Sequence, residues 1–337
     1  ELRRLRRRGL AEPKVASRLA MSNLRARRLN KKISRSISDC TELSVSTSTA
    51  CDDEQVMDIL EDFDLLETLG RGTSGRVVRA VRKSTRQHVA LKFLEARDAA
   101  QASDRRREYD ILRQVDHPNI LKAFDFMLCG PQAVLVLAHQ PGSSLDVAVK
   151  ETGFPVATAQ KLFRLLMLAV AHLHERRVVH RDIKAENIMI SPGQDDLCLM
   201  DFNTALSLDD GGALTMTGTA EYAAPEVLDG ESPSEKQDVW SCGLCLHIMI
   251  TGRLPRRLWS YPTVEGFLSA VRASPVDWKR RQWQSVPEEC KDLITECLAL
   301  EKKSRPAPMT VLSMPWLRQE QRPVRSRSDA ALSERAP

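Results

Sequence analysis

The chain has 337 residues, 42% of them hydrophobic and 28% charged, with 15 Gly, 17 Pro and 8 Cys. That is enough to bury one large core or two smaller ones, and it excludes a disordered, collagen-like or disulfide-scaffold chain as a whole. The net charge of +5 is unevenly placed: residues 1–35 hold 13 basic and 2 acidic side chains, leaving 37 basic and 43 acidic for the remainder. A mildly acidic body with one basic end argues against a nucleic-acid binder.

Residues 1–58 read as a tail, basic to Arg35 and then rich in Ser and Thr, with no sustained period of 2 or 3.6. The expectation is disorder, with residues 1–35 available to an anionic membrane or an acidic partner and the run RARRLNKK to nuclear import. No apolar stretch follows Arg3–Arg8 as a secretory signal requires, which predicts a cytoplasmic, reducing location and free cysteines. From Phe63 short β-like runs alternate with turns, ending in the strand Val89-Ala90-Leu91-Lys92 and its continuation. A charged helix is expected over Ser103–Val115, its Arg105, Arg106 and Arg107 facing solvent, stopped near Pro118. Two further strand-like runs close a small α+β lobe near Gln140, and after Pro141-Gly142 the spacing turns helical, with Leu162, Leu165, Leu166, Ala169, Val170 and Leu173 on one face. The most apolar run there, Leu165–Ala171, is far short of the roughly 20 residues that cross a bilayer. Helical patterns recur after Asp238 and Pro287, and residues 318–337 read as a second tail. Cys242 and Cys245 share a CxxC spacing, but inside an apolar helical run with no second pair they read as core thiols.

The chemistry lies in five stretches. Gly70-Arg71-Gly72-Thr73-Ser74-Gly75-Arg76-Val77 fits G-x-G-x-x-G-x-V, where missing side chains let backbone approach phosphates. A strand follows the glycines instead of a helix, which favours a glycine-rich hairpin over a dinucleotide-binding turn. Lys92 on the next strand can point an ammonium at phosphates, with Glu108 on the charged helix as its partner. In Val179-His180-Arg181-Asp182-Ile183-Lys184-Ala185-Glu186-Asn187, Asp182 can accept a hydroxyl proton, Lys184 can neutralise developing phosphoryl charge and Asn187 can ligate a divalent ion. Asp201-Phe202-Asn203 offers a hard oxygen ligand, and Gly218-Thr219-Ala220-Glu221-Tyr222-Ala223-Ala224-Pro225-Glu226 follows.

In order and spacing these stretches, with Asp238-Val239-Trp240 and Arg305, resemble the signature set of the eukaryotic protein kinase superfamily, serine/threonine branch, over about Phe63–Leu317. The resemblance implies an α+β, two-lobed fold spanning 59–317, with a small β-rich lobe at 63–137, a hinge at 138–141 and a mainly helical lobe at 142–317. It implies ATP and Mg²⁺ as cofactors and protein substrates phosphorylated on Ser or Thr, by a monomeric domain. Carried over, Asp182, Lys184, Lys92 and Glu108 are the catalytic set, and Asn187 and Asp201 hold metal. Leu69, Gly70, Arg71, Gly72, Thr73, Ser74, Gly75, Val77, Ala90, Lys92, Ala138 and Gln140 surround the nucleotide, with Leu137 as gatekeeper and His139 between the hinge contacts. Glu226 and Arg305 form a structural ion pair, and Lys184 with Thr219 marks the serine/threonine branch. Thr215 and Thr217 are candidate phosphorylation sites that would answer Arg181. Ser144 and Ile248 stand where kinases preferring basic substrates carry acids, which weakens any expected preference for Arg. Asn203 replaces the glycine of D-F-G, and Asn tolerates φ > 0. That departure alone supports the rival reading, a pseudokinase that binds nucleotide without turnover. A small-molecule or lipid kinase would lack the Ala224-Pro225-Glu226 platform.

Overall fold

The computed structural model describes residues 61–72, 75–129, 131–209 and 218–318. The predicted tail at 1–58 and all of the predicted tail at 318–337 except Arg318, which ends a helix at Pro315–Arg318, lie outside the described residues, as do Thr73, Ser74, Thr215, Thr217, Cys40 and Cys51. The smaller lobe is a five-stranded antiparallel sheet ordered β1-β2-β3-β5-β4, from β1 (Phe63–Gly72), β2 (Gly75–Arg82), β3 (His88–Glu95), β4 (Ala123–Cys129) and β5 (Gln132–Ala138). Its Val, Leu and Phe alternate, and one face closes over Val78, Ala80, Val89, Leu91, Phe93, Val134 and Val136.

Helix α1 spans Ala99–Gln114, starting four residues before the expected Ser103. The reason is a cap: the Asp98 carboxylate accepts the Gln101 N–H at 2.8 Å, and Ala99-Ala100-Gln101-Ala102 then continues as good helix formers. Only Arg106 behaves as the solvent-facing arginine expected, pairing with Asp110 at 3.6 Å. Arg105 and Arg107 are half-buried, and Arg105 Nε donates to the Glu95 carbonyl at 3.3 Å.

The larger lobe is built on α3 (Val156–Glu175) and α5 (Glu235–Thr251), after the short α2 (Leu145–Ala148). By length and composition α3 is apolar enough to cross a membrane, contrary to the expectation from its seven-residue apolar run. Here it is a core helix, burying Ala159, Leu162, Phe163, Leu166, Met167, Ala169, Val170 and Leu173, while the expected Leu165 is only half-buried. In α5 every residue from Gln237 to Thr251 is buried. Gly243 lets α7 (Glu288–Cys297) come close, since a Cβ there would lie 2.9 Å from the Cys297 Cβ. The remaining short helices are α4 (Pro225–Leu228), α8 (Pro308–Leu312) and α9 (Pro315–Arg318). Two small ladders carry the loops that bear chemistry: β6 (Ser143–Ser144) with β8 (Ile188–Ile190) and β9 (Leu197–Leu199), and β7 (Val178–Val179) with β10 (Leu206–Ser207). Residues 257–273 belong to a separate contact unit, with a 3-10 turn at Leu258–Ser260 and helix α6 at Val264–Ala273, where the Tyr261 and Phe267 rings meet at 5.7 Å.

All six described cysteines are free and buried. Burial pushes Cys198, Cys290 and Cys297 up to about 12, and Cys242 and Cys245 well above the usual thiol value, so the CxxC pair sits as neutral thiols in the core. His247 on α5 is 2% exposed. Burial pulls its pKa down to about 4, against a favourable bond to the Arg253 carbonyl and with Arg280 and Arg253 adding to the depression. The unfolded chain takes up this proton near 6.5 and the folded chain only near 4, so stability falls as pH drops through that window, by on the order of 3 kcal/mol for this group. Thermal melts between pH 7 and 4 should show a steep loss in the native chain and a shallower one in His247→Gln; equal slopes would remove His247 as the cause.

Candidate active site

The sheet register brings the glycine-rich hairpin and the lysine strand into one row. Gly70 pairs with Val77, and Val77 pairs with Lys92, so the three share the face that looks down from the lid. The glycines do different jobs. A Cβ on Gly70 would meet no atom within 4 Å, which leaves room for a ligand to approach the backbone. Gly75 has φ 123 and its Cβ would fall 1.9 Å from the Phe93 carbonyl, so it is fixed by strand packing and not by phosphate access, contrary to the common role expected for the three. Arg76 stacks over Phe93 at 4.9 Å, on the face opposite Lys92. Ala90 lies on the same strand opposite Leu137, and Leu69 at the lid's base is 47% exposed. At the hinge the Ala138 N–H is committed to the Lys122 carbonyl at 2.9 Å, so it is not the group that meets a ligand.

Below the lid, Lys92 Nζ donates to both Glu108 oxygens, at 2.9 and 3.0 Å, and to Asp201 Oδ1 at 2.8 Å. Lys92 and Glu108 are 7% and 4% exposed. Burial opposes charge on Lys92, but the Glu108 and Asp201 carboxylates outweigh it and hold the ammonium pKa above its ordinary value. Burial likewise pushes the Glu108 carboxyl up, with Lys92 pulling it back. This is a fully assembled cation clamp joining β3, α1 and the segment after β9.

A second constellation surrounds Asp182, which is 8% exposed. Its Oδ1 accepts from Thr219 N at 2.9 Å and Thr219 Oγ1 at 3.0 Å, and its Oδ2 meets Lys184 Nζ at 2.8 Å and Asn187 Nδ2 at 3.1 Å. Lys184 Nζ also donates to Thr219 Oγ1 at 2.9 Å, tying the catalytic loop to the segment before α4. Gly218, φ 95, makes this approach possible, since a Cβ there would lie 2.5 Å from the Arg181 carbonyl. Asn187 spends its amide N–H groups on Asp182, so its Oδ1 is the atom left for a cation, and the Met200 N–H bond to the Asn187 carbonyl at 2.8 Å sets it beside Asp201. One amide oxygen and one carboxylate next to a phosphate-facing lysine fit Mg²⁺, which prefers hard oxygen donors completed by substrate phosphates.

Asp238 is the residue whose role the motifs left unstated. Only 1% exposed, it accepts from the backbone N–H of His180 at 2.9 Å and of Arg181 at 3.0 Å, and from His174 Nε2 at 3.0 Å. It thereby anchors the catalytic loop, where Arg181 has φ 68, to the floor of the lobe. His180 Nδ1 accepts from the Asp182 N–H and its Nε2 donates to the Met200 carbonyl, with Phe202 edge-on at 4.6 Å.

The expectation for Asn203 is corrected: positive φ falls on Asp201 (φ 55), while Asn203 is not among the residues in that region. An Asn at 203 therefore carries no left-handed strain, and the argument it lent to a pseudokinase lapses. The expected pair Glu226 and Arg305 is present and buried, with bonds of 2.5 and 2.7 Å. Arg181 is bound through Nε to the Thr204 carbonyl at 2.6 Å, and its Nη1 is buried with no partner among the described residues. Asp209 meets Arg177 at 3.6 Å.

Comparison with known proteins agrees with this geometry. The family model described as "Protein kinase domain" matches residues 63–317. The chain is 29% identical over 252 residues to calcium-dependent protein kinase 5 of Plasmodium berghei, covering 74% of this chain and 44% of that protein. It is 30% identical over 265 residues to sucrose non-fermenting protein kinase 1 of Fusarium virguliforme, covering 77% and 36%, and 30% identical over 270 residues to the calcium/calmodulin-dependent protein kinase type II alpha chain of Drosophila melanogaster, covering 78% and 50%. The chain thus spans between a third and a half of the length of these curated relatives. With the lysine clamp, Asp182 in its loop and the Asn187–Asp201 pair all assembled on a sheet lobe above a helical lobe, and the family model matching residues 63–317, the chain belongs to the protein kinase family.

Proposed function

We propose that this domain is a serine/threonine protein kinase that transfers the γ-phosphoryl group of ATP to protein hydroxyls. The observation that carries the reading is the pair of assembled constellations, Lys92 held by Glu108 and Asp201, and Asp182 held by Lys184, Asn187 and Thr219. Bound Mg²⁺, held by Asn187 Oδ1 and Asp201, would supply neutralisation of phosphate charge. The chain's own residues do the rest. Ala138 C=O and Gln140 meet the adenine edge, the lid backbone from Gly70 covers the phosphates, and Lys92 orients them. Asp182 orients the acceptor hydroxyl and takes its proton, and Lys184 offsets charge on the transferred group. Lys184 with Thr219, joined to each other and to Asp182, supports Ser and Thr as acceptors through its likeness to the serine/threonine branch. A small pocket of mixed character, walled by Tyr222, Ala223, Ala224 and Val227 together with Arg181, Gln237 and Ser241, opens next to Asp182. Exposure of the purified chain to a peptide array with Mg-ATP should place phosphate on Ser or Thr peptides; nucleotide binding without any phosphopeptide would leave the pseudokinase reading instead.

Phosphorylation at Thr215, with Thr217 in reserve, is the regulation that Arg181 supports. Burial first, and then the neighbouring Arg107, disfavour charge on its guanidinium, with only Asp238 opposing. Phosphate adds about −1.5 to −2 charge and acceptors matched to two arginines. Thr215→Ala with Thr217→Ala should therefore lose most activity, and Arg107→Ala should blunt the gain on phosphorylation. Full activity in the double variant, with mass spectrometry of the native enzyme showing no phosphate there, would overturn the assignment.

A further inference from the structure

The end of α5 carries a cationic face that the phosphotransfer site does not use. The helix closes at Gly252, φ 76, whose N–H bonds the Ile248 carbonyl. The Arg253 carbonyl is then held by His247 Nδ1 at 2.8 Å and Thr251 Oγ1 at 3.0 Å, which fixes the backbone from which the Arg253 side chain projects. That side chain is exposed, and its Nη2 donates to Gln282 Oε1 at 3.2 Å, while Gln282 Nε2 returns to the Thr251 carbonyl at 3.4 Å. The bonds through Gln282 bring the turn after α5 against the segment Lys279-Arg280-Arg281. Arg280 is half-buried and pairs with Asp277 at 3.6 Å. Arg253, Lys279 and Arg281 are exposed and have no acidic partner among the described residues. Arg253 and Arg280 both act on buried His247, so they share one electrostatic neighbourhood. Trp278 packs its ring on buried Trp283 at 4.7 Å and leaves a half-exposed apolar ledge next to these cations.

Such a face runs against the charge of the body that bears it, since residues 36–337 hold 37 basic and 43 acidic side chains. Asp277 offsets one of the four cations, and the three exposed ones that remain repel unless a further anion shares them. The mounting of Arg253 matters, because a pre-ordered guanidinium loses less rotamer freedom on binding and offers a planar fork to a carboxylate. We propose that Arg253, Lys279, Arg280 and Arg281, with the Trp278 ledge, form a docking surface for an acidic peptide segment of a partner protein. A few cations around one indole fit a short run of Glu or Asp with an adjoining apolar residue. A nucleic acid would call for a longer track of phosphate contacts, commonly about 6–10.

The test measures fluorescence anisotropy of a short Glu-rich peptide, and of its Gln counterpart, on the full chain. The native chain should prefer the Glu peptide and lose affinity as salt rises from about 50 to about 200 mM. Arg253→Glu with Arg281→Glu should weaken binding about tenfold or more, a difference the basic residues 1–35, unchanged in both proteins, cannot produce. Arg281→Glu alone, which breaks no bond described above, should weaken binding in the same direction with the melting temperature unchanged, and because binding is read directly the result does not depend on phosphotransfer. Equal affinity for the Glu and Gln peptides, or binding within about twofold in the charge-reversed variant, would overturn the proposal. So would tighter, equally variant-sensitive binding of single-stranded RNA or of phosphatidylserine vesicles.

Discussion

Asp182→Asn should lower phosphotransfer by about 10²–10⁴-fold while leaving a folded protein that still binds nucleotide. The Asp182 carboxylate has four donors around it, Thr219 N and Oγ1 on one oxygen and Lys184 and Asn187 on the other. An asparagine can keep the Thr219 pair on its carbonyl oxygen, but its amide then faces the Lys184 ammonium and the Asn187 amide, donor against donor. The general base is gone and Lys184 loses its anion, so both the proton path and the charge balance at the transferred group are damaged. Lys92→Met should be equally inactive but for a different reason and with a different side effect. It strands Glu108, which is 4% exposed, and leaves Asp201 without its 2.8 Å partner. Removing one member of a buried pair costs about 3–5 kcal/mol; with the carboxyl pKa already pushed up by burial, Glu108 would take a proton and soften that loss. Asp182→Asn is therefore the better inactive variant for binding studies. Single-turnover assays with melting curves separate the two effects, and native turnover in Asp182→Asn would refute the proposed chemistry.

The site was legible in the sequence wherever the chemistry itself demands a side chain at a set distance along the chain. Lys92, Glu108, Asp182, Asn187 and Asp201 are such residues, and the strands and turns that carry them followed from alternation and glycine placement. What escaped the sequence are the roles that depend on what folds against what. Gly75 reads like the other lid glycines, yet its need arises from the Phe93 carbonyl on the next strand. Asn203 invited a left-handed reading because a glycine is usual there, while the strained φ sits two residues earlier at Asp201. Asp238 did leave a signal, one carboxylate at the head of an otherwise apolar helical run. Only the fold shows that two backbone N–H groups of the catalytic loop are what keep it there. The start of α1 was missed because the run after Asp98 is weakly patterned, so the cap and not the periodicity sets it. Arg107 was assigned to solvent by its charge, and the structure instead sets it near Arg181.

Arg305→Ala should be among the most destabilising single changes in the helical lobe, although Arg305 lies outside the phosphotransfer site. Its guanidinium is 1% exposed and meets both Glu226 oxygens, at 2.5 and 2.7 Å. It also donates through Nε to the Ala299 carbonyl at 2.8 Å and through Nη1 to the Lys236 carbonyl at 3.2 Å, and lies over the Trp240 ring at 4.9 Å. One side chain therefore joins the turn after α7 to α4 and to α5. Truncation leaves the Glu226 carboxylate buried at 6% exposure without a cation, and two part-buried carbonyls lose their donor. The expected cost is about 3–5 kcal/mol, a fall in melting temperature of roughly 6–9 °C for a domain of this size. Arg305→Lys keeps the charge but not the fork and should lose less, and Glu226→Gln less again, since an amide oxygen still accepts one bond. Because the pair is dry, the loss should persist at high salt, unlike that of any exposed ion pair on the surface. Activity should fall with it even below the melting point, because α4 begins at Pro225, next to the segment whose Thr219 holds Asp182. A melting temperature for Arg305→Ala within a degree or two of the native value would show that the ion pair carries no structural weight.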